Sequence, residues 1–351
     1  MENNLIFLID KLKAEKTLSL EEYRILIEAY NPEIAKYAAK EAVKARQEIY
    51  GNKVYIRGLI EISNICKNDC YYCGIRKSNQ SCDRYRLSKE EILNCCGEGY
   101  ELGFRTFVMQ GGEDGYFGDE VLCEIVSEVR EKFPDCAITL SMGERTKESY
   151  QKLYDAGANR YLLRHEAAER NHYKVLHPNE MSYENRMQCL KDLKEIGYQV
   201  GCGFMVGSPY QTTKSLAMDL KLVEEFLPDM CGIGPFIPHK DTMFCEEAAG
   251  SVEITCYLLS LIRLIHPSVL LPATTALGTL DSNGREKGIL AGANVVMPNL
   301  SPLSVRKKYQ LYDNKISTGF ESAEGLEDLR KRMQDISYEI VCDRGDVIKI
   351  N

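Results

Sequence analysis

The sequence predicts an α/β fold, a (β/α)8 TIM barrel of parallel strands with an N-terminal helical extension, and three observations carry that reading. Eight short strand-like runs alternate with amphipathic stretches of helical length. Glycine turns such as Ala156-Gly157-Ala158 and Ala291-Gly292-Ala293 end helices just before the next strand. Within the strands, charged and apolar residues separate onto opposite faces. A doubly wound open sheet is the alternative assembly of the same elements.

Taken in order, residues 2–50 read as helices. Leu8, Leu12, Leu18, Leu20, Tyr23, Leu26 and Ile27 make an apolar stripe of roughly helical period. The domain boundaries follow as a helical extension over 1–50, a barrel over 51–312 and a C-terminal segment, 313–351, that closes it. The expected strands are Tyr55–Ser63, Thr106–Gln110, Ala137–Ser141, Arg160–Arg164, Gln199–Met205, Met230–Ile233, Leu270–Thr274 and Asn294–Met297. The expected helices lie near 88–102, 119–132, 146–156, 183–196, 213–226, 252–265 and 285–291. No linker, low-complexity tract or internal repeat interrupts them.

In the first strand Ile56, Gly58, Ile60 and Ile62 share one face, and Arg57, Leu59, Glu61 and Ser63 the other. The fourth strand sets Arg160, Leu162, Arg164 and Glu166 against Tyr161 and Leu163. In the third, Thr139 and Ser141 share a face. A filled barrel lumen would carry branched aliphatics at these positions. Buried charge is costly unless it is paired or binds something. An Arg57–Glu61 or Arg164–Glu166 ion pair is the plain structural account. Three inward arginines exceed what those carboxylates need, which favours a polar chamber for a small anionic substrate.

Apolar content of 44% and charged content of 27% are those of a globular protein, and a net charge of −8 argues against a nucleic-acid partner. No apolar run approaches the ~18 residues of a membrane span, and Met1-Glu2-Asn3-Asn4 lacks a basic signal-peptide start, so a cytoplasmic protein without a membrane partner is expected. Fourteen cysteines in such a compartment are not a disulfide framework. Cys95, Cys96, Cys189 and Cys256 fall in helical patterns and read as small core hydrophobes.

Cys66, Cys70 and Cys73 stand apart from these. They form C-x3-C-x2-C directly after the first strand. Three thiolates on one short loop can hold three corners of an iron–sulfur cube and leave the fourth iron open for chemistry. A zinc knot with Cys82 as fourth ligand, a CxxC redox pair and buried free thiols are the competing accounts. No histidine lies near the loop, which weakens a mixed Cys/His zinc site. Tyr72, just before the last cysteine, can shield a cluster edge and pack a nucleobase.

Barrel active sites gather at the C-terminal ends of strands. After the second strand comes Gln110-Gly111-Gly112-Glu113-Asp114-Gly115, where glycines would let backbone approach a ligand or simply make a tight turn. After the fourth comes Arg164-His165-Glu166, in which His165 reads as a packed histidine. Arg186 follows on a helix, as a carboxylate clamp or part of a solvated face. Gly203–Pro209 and Pro272-Ala273-Thr274-Thr275-Ala276 end later strands, the second with two adjacent hydroxyls.

These motifs resemble those of radical S-adenosylmethionine (radical SAM) enzymes of the biotin synthase-like group, and most closely the HydE family of FeFe-hydrogenase H-cluster maturases. The resemblance runs from about Tyr55 to Tyr312. It is carried by Glu61–Asn64 with the three cysteines, Gln110–Asp114, Thr139–Glu144, Arg160–Glu166, Gly232–His239, Pro272–Ala276 and Tyr309–Tyr312. It implies one 4Fe–4S cluster on Cys66, Cys70 and Cys73, with S-adenosyl-L-methionine (SAM) on the free iron. It implies SAM contacts from Tyr72, Gly112, Glu113, Ser141, Glu166, Arg186 and Met205. It implies a substrate cavity with anion sites at Arg57, Thr139, Arg160, Arg164, Thr274, Thr275, Tyr309 and Tyr312.

The implied activity is reductive cleavage of SAM to a 5′-deoxyadenosyl radical that attacks a small anionic, sulfur-containing species. That species is cysteine-derived, an iron dicarbonyl cyanide complex carrying cysteine. The implied partners are an external electron donor of ferredoxin or flavodoxin type, a tyrosine-cleaving radical SAM maturase and a GTPase scaffold. One departure stands out. Where relatives carry cysteines for an accessory cluster, this chain reads Ile316-Ser317-Thr318-Gly319-Phe320, and Cys342 is the only later cysteine, so a single cluster is expected. A mutase of the methylornithine synthase type is the alternative enzyme, and a non-catalytic iron–sulfur or zinc carrier the alternative class.

Overall fold

Three helices lead into the barrel, and the sequence marks their ends. In the computed structural model, which describes residues 2–349, they span Glu2–Glu15, Leu20–Glu28 and Pro32–Tyr50. Ser19 and Glu22 form a reciprocal capping box at the second. Asn31 caps the third, with Pro32 pre-set at its first position. The apolar stripe is buried except at Leu20, which sits in the first turn of its helix and is 39% exposed.

The strands are β1 (Lys53–Ile56), β2 (Gly58–Ser63), β3 (Thr106–Gly111), β4 (Ala137–Ser141), β5 (Arg160–Leu162), β6 (Gln199–Cys202), β7 (Met205–Val206), β8 (Met230–Cys231), β9 (Gly234–Pro235), β10 (Val295–Val296) and β11 (Glu339–Val341). Six pair side by side in the order β2-β3-β4-β5-β6-β8, all parallel. A second group, β10-β1-β11, is also parallel. Single bridges Met230–Leu270, Pro272–Val295 and Leu59–Asn299 join the two groups into a closed ring. The architecture is an α/β barrel.

Three expected strands are altered: the fifth, Gln199–Met205, divides into β6 and β7, the latter pairing with β9, and the other two departures have local causes. The first expected strand divides at Arg57 into β1 and β2. The seventh, Leu270–Thr274, survives only as bridges at Leu270 and Pro272, because Pro272 lacks the N–H that a ladder needs. The surrounding helices Lys89–Glu101, Asp119–Lys132, Lys147–Asp155, Tyr183–Ile196, Thr213–Phe226, Val252–Ile265 and Gly284–Leu290 fall where their periodicity put them. Shorter helices at Arg170–Leu176, Thr275–Leu280 and Leu303–Arg306, and a C-terminal one at Leu326–Asp335, were not legible.

The alternation in β2 has its predicted consequence. Ile56, Ile60 and Ile62 are fully buried against the helix layer. A Cβ at Gly58 would lie 2.1 Å from Leu300 Cδ1, so that face has no room for a side chain. Leu59 and Glu61, on the opposite face, line a central cavity. In the C-terminal segment β11 pairs with β1, and residues 344–346 lie under the start of β5. Among the described residues no helix is long and apolar enough to cross a membrane.

Candidate active site

The cysteine loop leaves the C-terminal end of β2 and is tied down by polar side chains. Asn64 accepts from the Tyr85 N–H at 2.8 Å and donates to the Asp83 and Lys308 carbonyls at 2.9 and 2.8 Å. The Arg84 guanidinium donates to the carbonyls of Asn64, Ile75, Arg76 and Asn79. Arg76 grips Asp69 with two bonds of 2.8 and 3.0 Å, which holds that carboxyl far below the usual carboxylate range.

Within this frame the three thiols are free and half-buried. Cys66 Sγ accepts a hydrogen bond from the Glu113 N–H at 3.4 Å, and Cys70 Sγ lies 3.6 Å from Met181 Sδ. Burial, and then its neighbour Cys73, pushes the Cys70 thiol well up; burial, and then Cys66, pushes Cys73 up to about 12. The thiols feel one another, and only a cationic centre would make all three thiolates together. Among the described residues no three such ligands converge on a single ion. Three thiols on one loop can take separate corners of an iron–sulfur cube. Cys82 is not gathered in as a fourth ligand: its Sγ lies 3.5 Å from Asn64 Nδ2. The residues therefore fit a 4Fe–4S group with one open corner.

The loop after β3 braces the cysteines. The expectation for Gly112 is close backbone approach to a ligand; the close approach seen is to the cysteine loop itself. A Cβ there would stand 2.3 Å from the Ile65 carbonyl oxygen and 2.8 Å from Cys66 Cβ. Glu113 then links three loops, accepting from the Glu144 N–H at 3.0 Å and pairing with Lys67 at 3.0 Å. Gly112→Ala is expected to displace Cys66, lowering both the iron bound per chain after anaerobic reconstitution and, because the clash is with backbone, the melting temperature of the metal-free protein. Full iron loading in that variant contradicts the bracing role.

A cavity of about 350 Å³ opens beside Cys73 and runs down the barrel. Of the residues expected at SAM, Tyr72, Ser141, Glu166, Arg186 and Met205 line it; Gly112 and Glu113 stand behind it at the cysteine loop. Glu166 has its backbone at φ +64°, a left-handed conformation uncommon outside glycine and frequent at functional sites. Its carboxylate is 3.2 Å from Arg164 Nη2, but Oε2 has no hydrogen bond. Arg186 donates to Glu144 Oε1 at 2.5 Å and to the Arg164 carbonyl at 2.7 Å. Burial works against its charge, and Glu144 outweighs that, holding the guanidinium well above its usual range. His165 is packed as expected, fully buried between Asp219 at 3.2 Å and the Gly203 N–H.

His177 was not visible from the sequence. It stacks on Tyr173 and meets Tyr72 edge-on at 5.5 Å. Its Nδ1 is 2.9 Å from the Tyr173 carbonyl and so carries the proton, leaving Nε2 to accept from the Tyr72 hydroxyl at 3.4 Å. Burial, and then Arg186, lowers its pKa to about 3. Below pH 6.5 the unfolded chain takes a proton on this imidazole and the folded chain does not. Stability should therefore fall as pH drops from 6.5 toward 3, by up to about 1.4 kcal/mol per unit from this group. His266, lowered to about 4, shares the upper part of that window. His177→Gln is expected to flatten, without abolishing, the acid limb of a melting-temperature profile; an unchanged limb contradicts this.

The sequence profile of the radical SAM superfamily matches residues 60–223. The "[FeFe] hydrogenase maturase subunit HydE" of Thermotoga maritima is 45% identical over 277 residues, 79% of each chain. The chain belongs to the radical SAM superfamily. It is a radical SAM enzyme of the HydE type, and its family's resident groups are a 4Fe–4S cluster and SAM. More distant is the 3-methylornithine synthase of Methanosarcina acetivorans, 28% identical over 92% of this chain and 90% of that one. Among solved structures, methylornithine synthase superimposes with a TM-score of 0.83 at 26% identity, covering 95% of this chain and 97% of that one. The maturase HydG shares the fold, with a TM-score of 0.79 at 21% identity over 96% and 76%.

In this radical SAM barrel the residues expected at the substrate separate into two groups. Arg164, Thr274, Thr275, Tyr309 and Tyr312 line the same cavity as Cys73. Thr274 Oγ1 is buried without a partner, whereas Thr275 Oγ1 accepts from Arg285, itself held by buried Glu321. Tyr309 accepts from Gln110 Nε2 at 3.2 Å. Arg57 and Thr139 lie deeper and off the cavity lining. Arg57 is 5% exposed; its Nη1 meets only Met230 Sδ, and its Nε and Nη2 have no partner. Burial, and then Arg160, pulls its pKa well down. Thr139 Oγ1 is buried and unpartnered.

The suggested Arg57–Glu61 pair does not form. Glu61 is taken instead by Lys315 at 2.6 Å and Asn299 at 2.9 Å. Arg160 is the clear correction. Its guanidinium is saturated by Gln199, Thr106, the carbonyls of Arg344 and Gly345, and Asp346 at 2.6 Å. It anchors the C-terminal tail at the start of β5. Period two assigns a residue to a face of its strand, not to a height along the barrel.

Proposed function

We propose that this HydE-type enzyme acts in assembly of the H-cluster of FeFe-hydrogenase, on a small anionic, cysteine-derived sulfur compound, an iron dicarbonyl cyanide complex carrying cysteine. The reading rests on 45% identity to the Thermotoga maritima maturase, together with one structural observation: Cys73 opens onto a cavity whose walls carry Arg164, Thr274 and Tyr309. A bound 4Fe–4S cluster and SAM, with an external donor of ferredoxin or flavodoxin type, would supply a 5′-deoxyadenosyl radical. The rest of the work belongs to this chain's side chains.

Cys66, Cys70 and Cys73 would hold three corners of the cluster and leave the fourth for the amino and carboxylate groups of SAM. Glu113, Ser141, Glu166 and Arg186 would orient SAM's polar groups, with Tyr72 and Met205 flanking the adenine. Arg164, Thr274, Thr275, Tyr309 and Tyr312 would hold the substrate below, and Arg57 with Thr139 would give the floor its affinity for an anion. The product would pass to the GTPase scaffold, and the substrate would come from the tyrosine-cleaving maturase. The test is anaerobic reconstitution with iron and sulfide, followed by SAM and dithionite. Formation of 5′-deoxyadenosine is expected; a zinc-loaded protein that forms none overturns the reading.

A further inference from the structure

We propose that Lys315 and Glu61 together form a receptor for the head group of an α-amino acid, Lys315 taking the carboxylate and Glu61 the ammonium. The proposal rests on the cavity being the substrate chamber and names the part of the substrate that this wall binds. Both side chains line the cavity, and both are almost wholly buried, 5% and 0% exposed. Their charged atoms lie 2.6 Å apart. Lys315 comes from an irregular stretch of the C-terminal segment, Glu61 from the middle of β2. The backbones are fixed independently. The Glu61 N–H donates to Ser301 Oγ at 2.8 Å, and its carbonyl accepts from Tyr85 at 2.7 Å. On the other side the Asp313 N–H donates to the Pro238 carbonyl at 3.0 Å.

Each partner keeps unused capacity. An ammonium has three donors; one direction of Lys315 meets Glu61 and another faces the Tyr309 ring at 5.4 Å. A carboxylate accepts about four hydrogen bonds; Glu61 takes one from Lys315 and one from Asn299. A buried ion pair adds little stability over apolar packing, yet breaking it by removing one partner is strongly unfavourable. A simple anion that drew Lys315 away would strand Glu61 as a buried, cation-free carboxylate. A simple cation would strand Lys315. A zwitterion carries both opposite charges on neighbouring atoms, so it can insert beside the pair and leave neither uncompensated. That complementarity favours an amino-acid head group over a lone acid or amine.

The experiment uses reconstituted enzyme saturated with SAM, so that the open corner is occupied, and calorimetric binding of three thioethers. S-methyl-L-cysteine has both charges, 3-(methylthio)propionate lacks the ammonium, and 2-(methylthio)ethylamine lacks the carboxylate. The wild type should bind S-methyl-L-cysteine about tenfold or more tighter than either relative. Lys315→Met should weaken S-methyl-L-cysteine and the acid by about tenfold and tighten the amine, which then has an unpaired Glu61 to itself. Glu61→Gln should weaken S-methyl-L-cysteine and the amine and tighten the acid, which then has an unpaired Lys315 to itself. Lys315→Arg, which keeps the charge, should retain the acid and serves where Lys315→Met does not fold. A structural role alone would weaken all three ligands alike, and that result, no weakening, or no head-group preference in the wild type overturns the proposal. Absence of 5′-deoxyadenosine from the same wild-type sample would instead strike the functional reading.

Discussion

Cys70→Ala should reduce 5′-deoxyadenosine formation to the background of a reaction without enzyme. The side chain touches Met181 Sδ and has Cys73, Arg186, Cys66 and Glu166 as its charged or titratable neighbours, so its loss removes one corner of the cluster without removing a packing element. The loop itself is held by Asn64, Arg76 and Arg84. The melting temperature of the metal-free protein should therefore change little, while iron content after reconstitution falls. Wild-type yields of 5′-deoxyadenosine from this variant would show that the ligand set is wrong.

Arg57→Met should separate stability from function in the opposite sense. Arg57 is buried with two of its nitrogens unpartnered, and no carboxylate contacts it. Replacing it with an apolar side chain beside Met230 removes a desolvated charge. The ligand-free protein should gain stability, by about 1–4 kcal/mol if it follows buried ion pairs replaced by packed apolar residues. If the guanidinium is kept for an anion at the floor, the same variant should cleave SAM without coupling cleavage to substrate, and hydrogenase maturation should be lost. A destabilised variant that still matures hydrogenase contradicts both halves. Stabilisation with intact maturation contradicts the functional half alone.

Much of this was legible in the sequence because it depends on period and spacing. The alternation Arg57, Leu59, Glu61 against Ile56, Gly58, Ile60 assigned the lumen face of β1 and β2 correctly. The helices expected from 88 and from 146 begin at the caps Ser88 and Thr146. The spacing of Cys66, Cys70 and Cys73 identified the loop that faces the cavity. What escaped depends on long-range contact. Arg160 shares a face with Arg164 but lies at the other end of the barrel, under a tail more than 180 residues away in sequence. Lys315 lies beyond the motifs and is a cavity residue because the chain returns over β2 after the barrel ends. His177 lies in a loop without a motif, and only its stacking on Tyr173 beside Tyr72 reveals it. The strand at Leu270–Thr274 was over-drawn because hydropathy does not record that Pro272 cannot donate.

The proposed function has a direct assay. An extract containing apo-hydrogenase and every maturation factor except the HydE-type enzyme is supplemented with this protein, reconstituted anaerobically, plus SAM and a reductant. Hydrogen evolution should appear with wild type, fail with Cys70→Ala and fail with Arg57→Met. Robust 5′-deoxyadenosine formation without hydrogenase activation, or accumulation of 3-methylornithine in its place, would contradict the account.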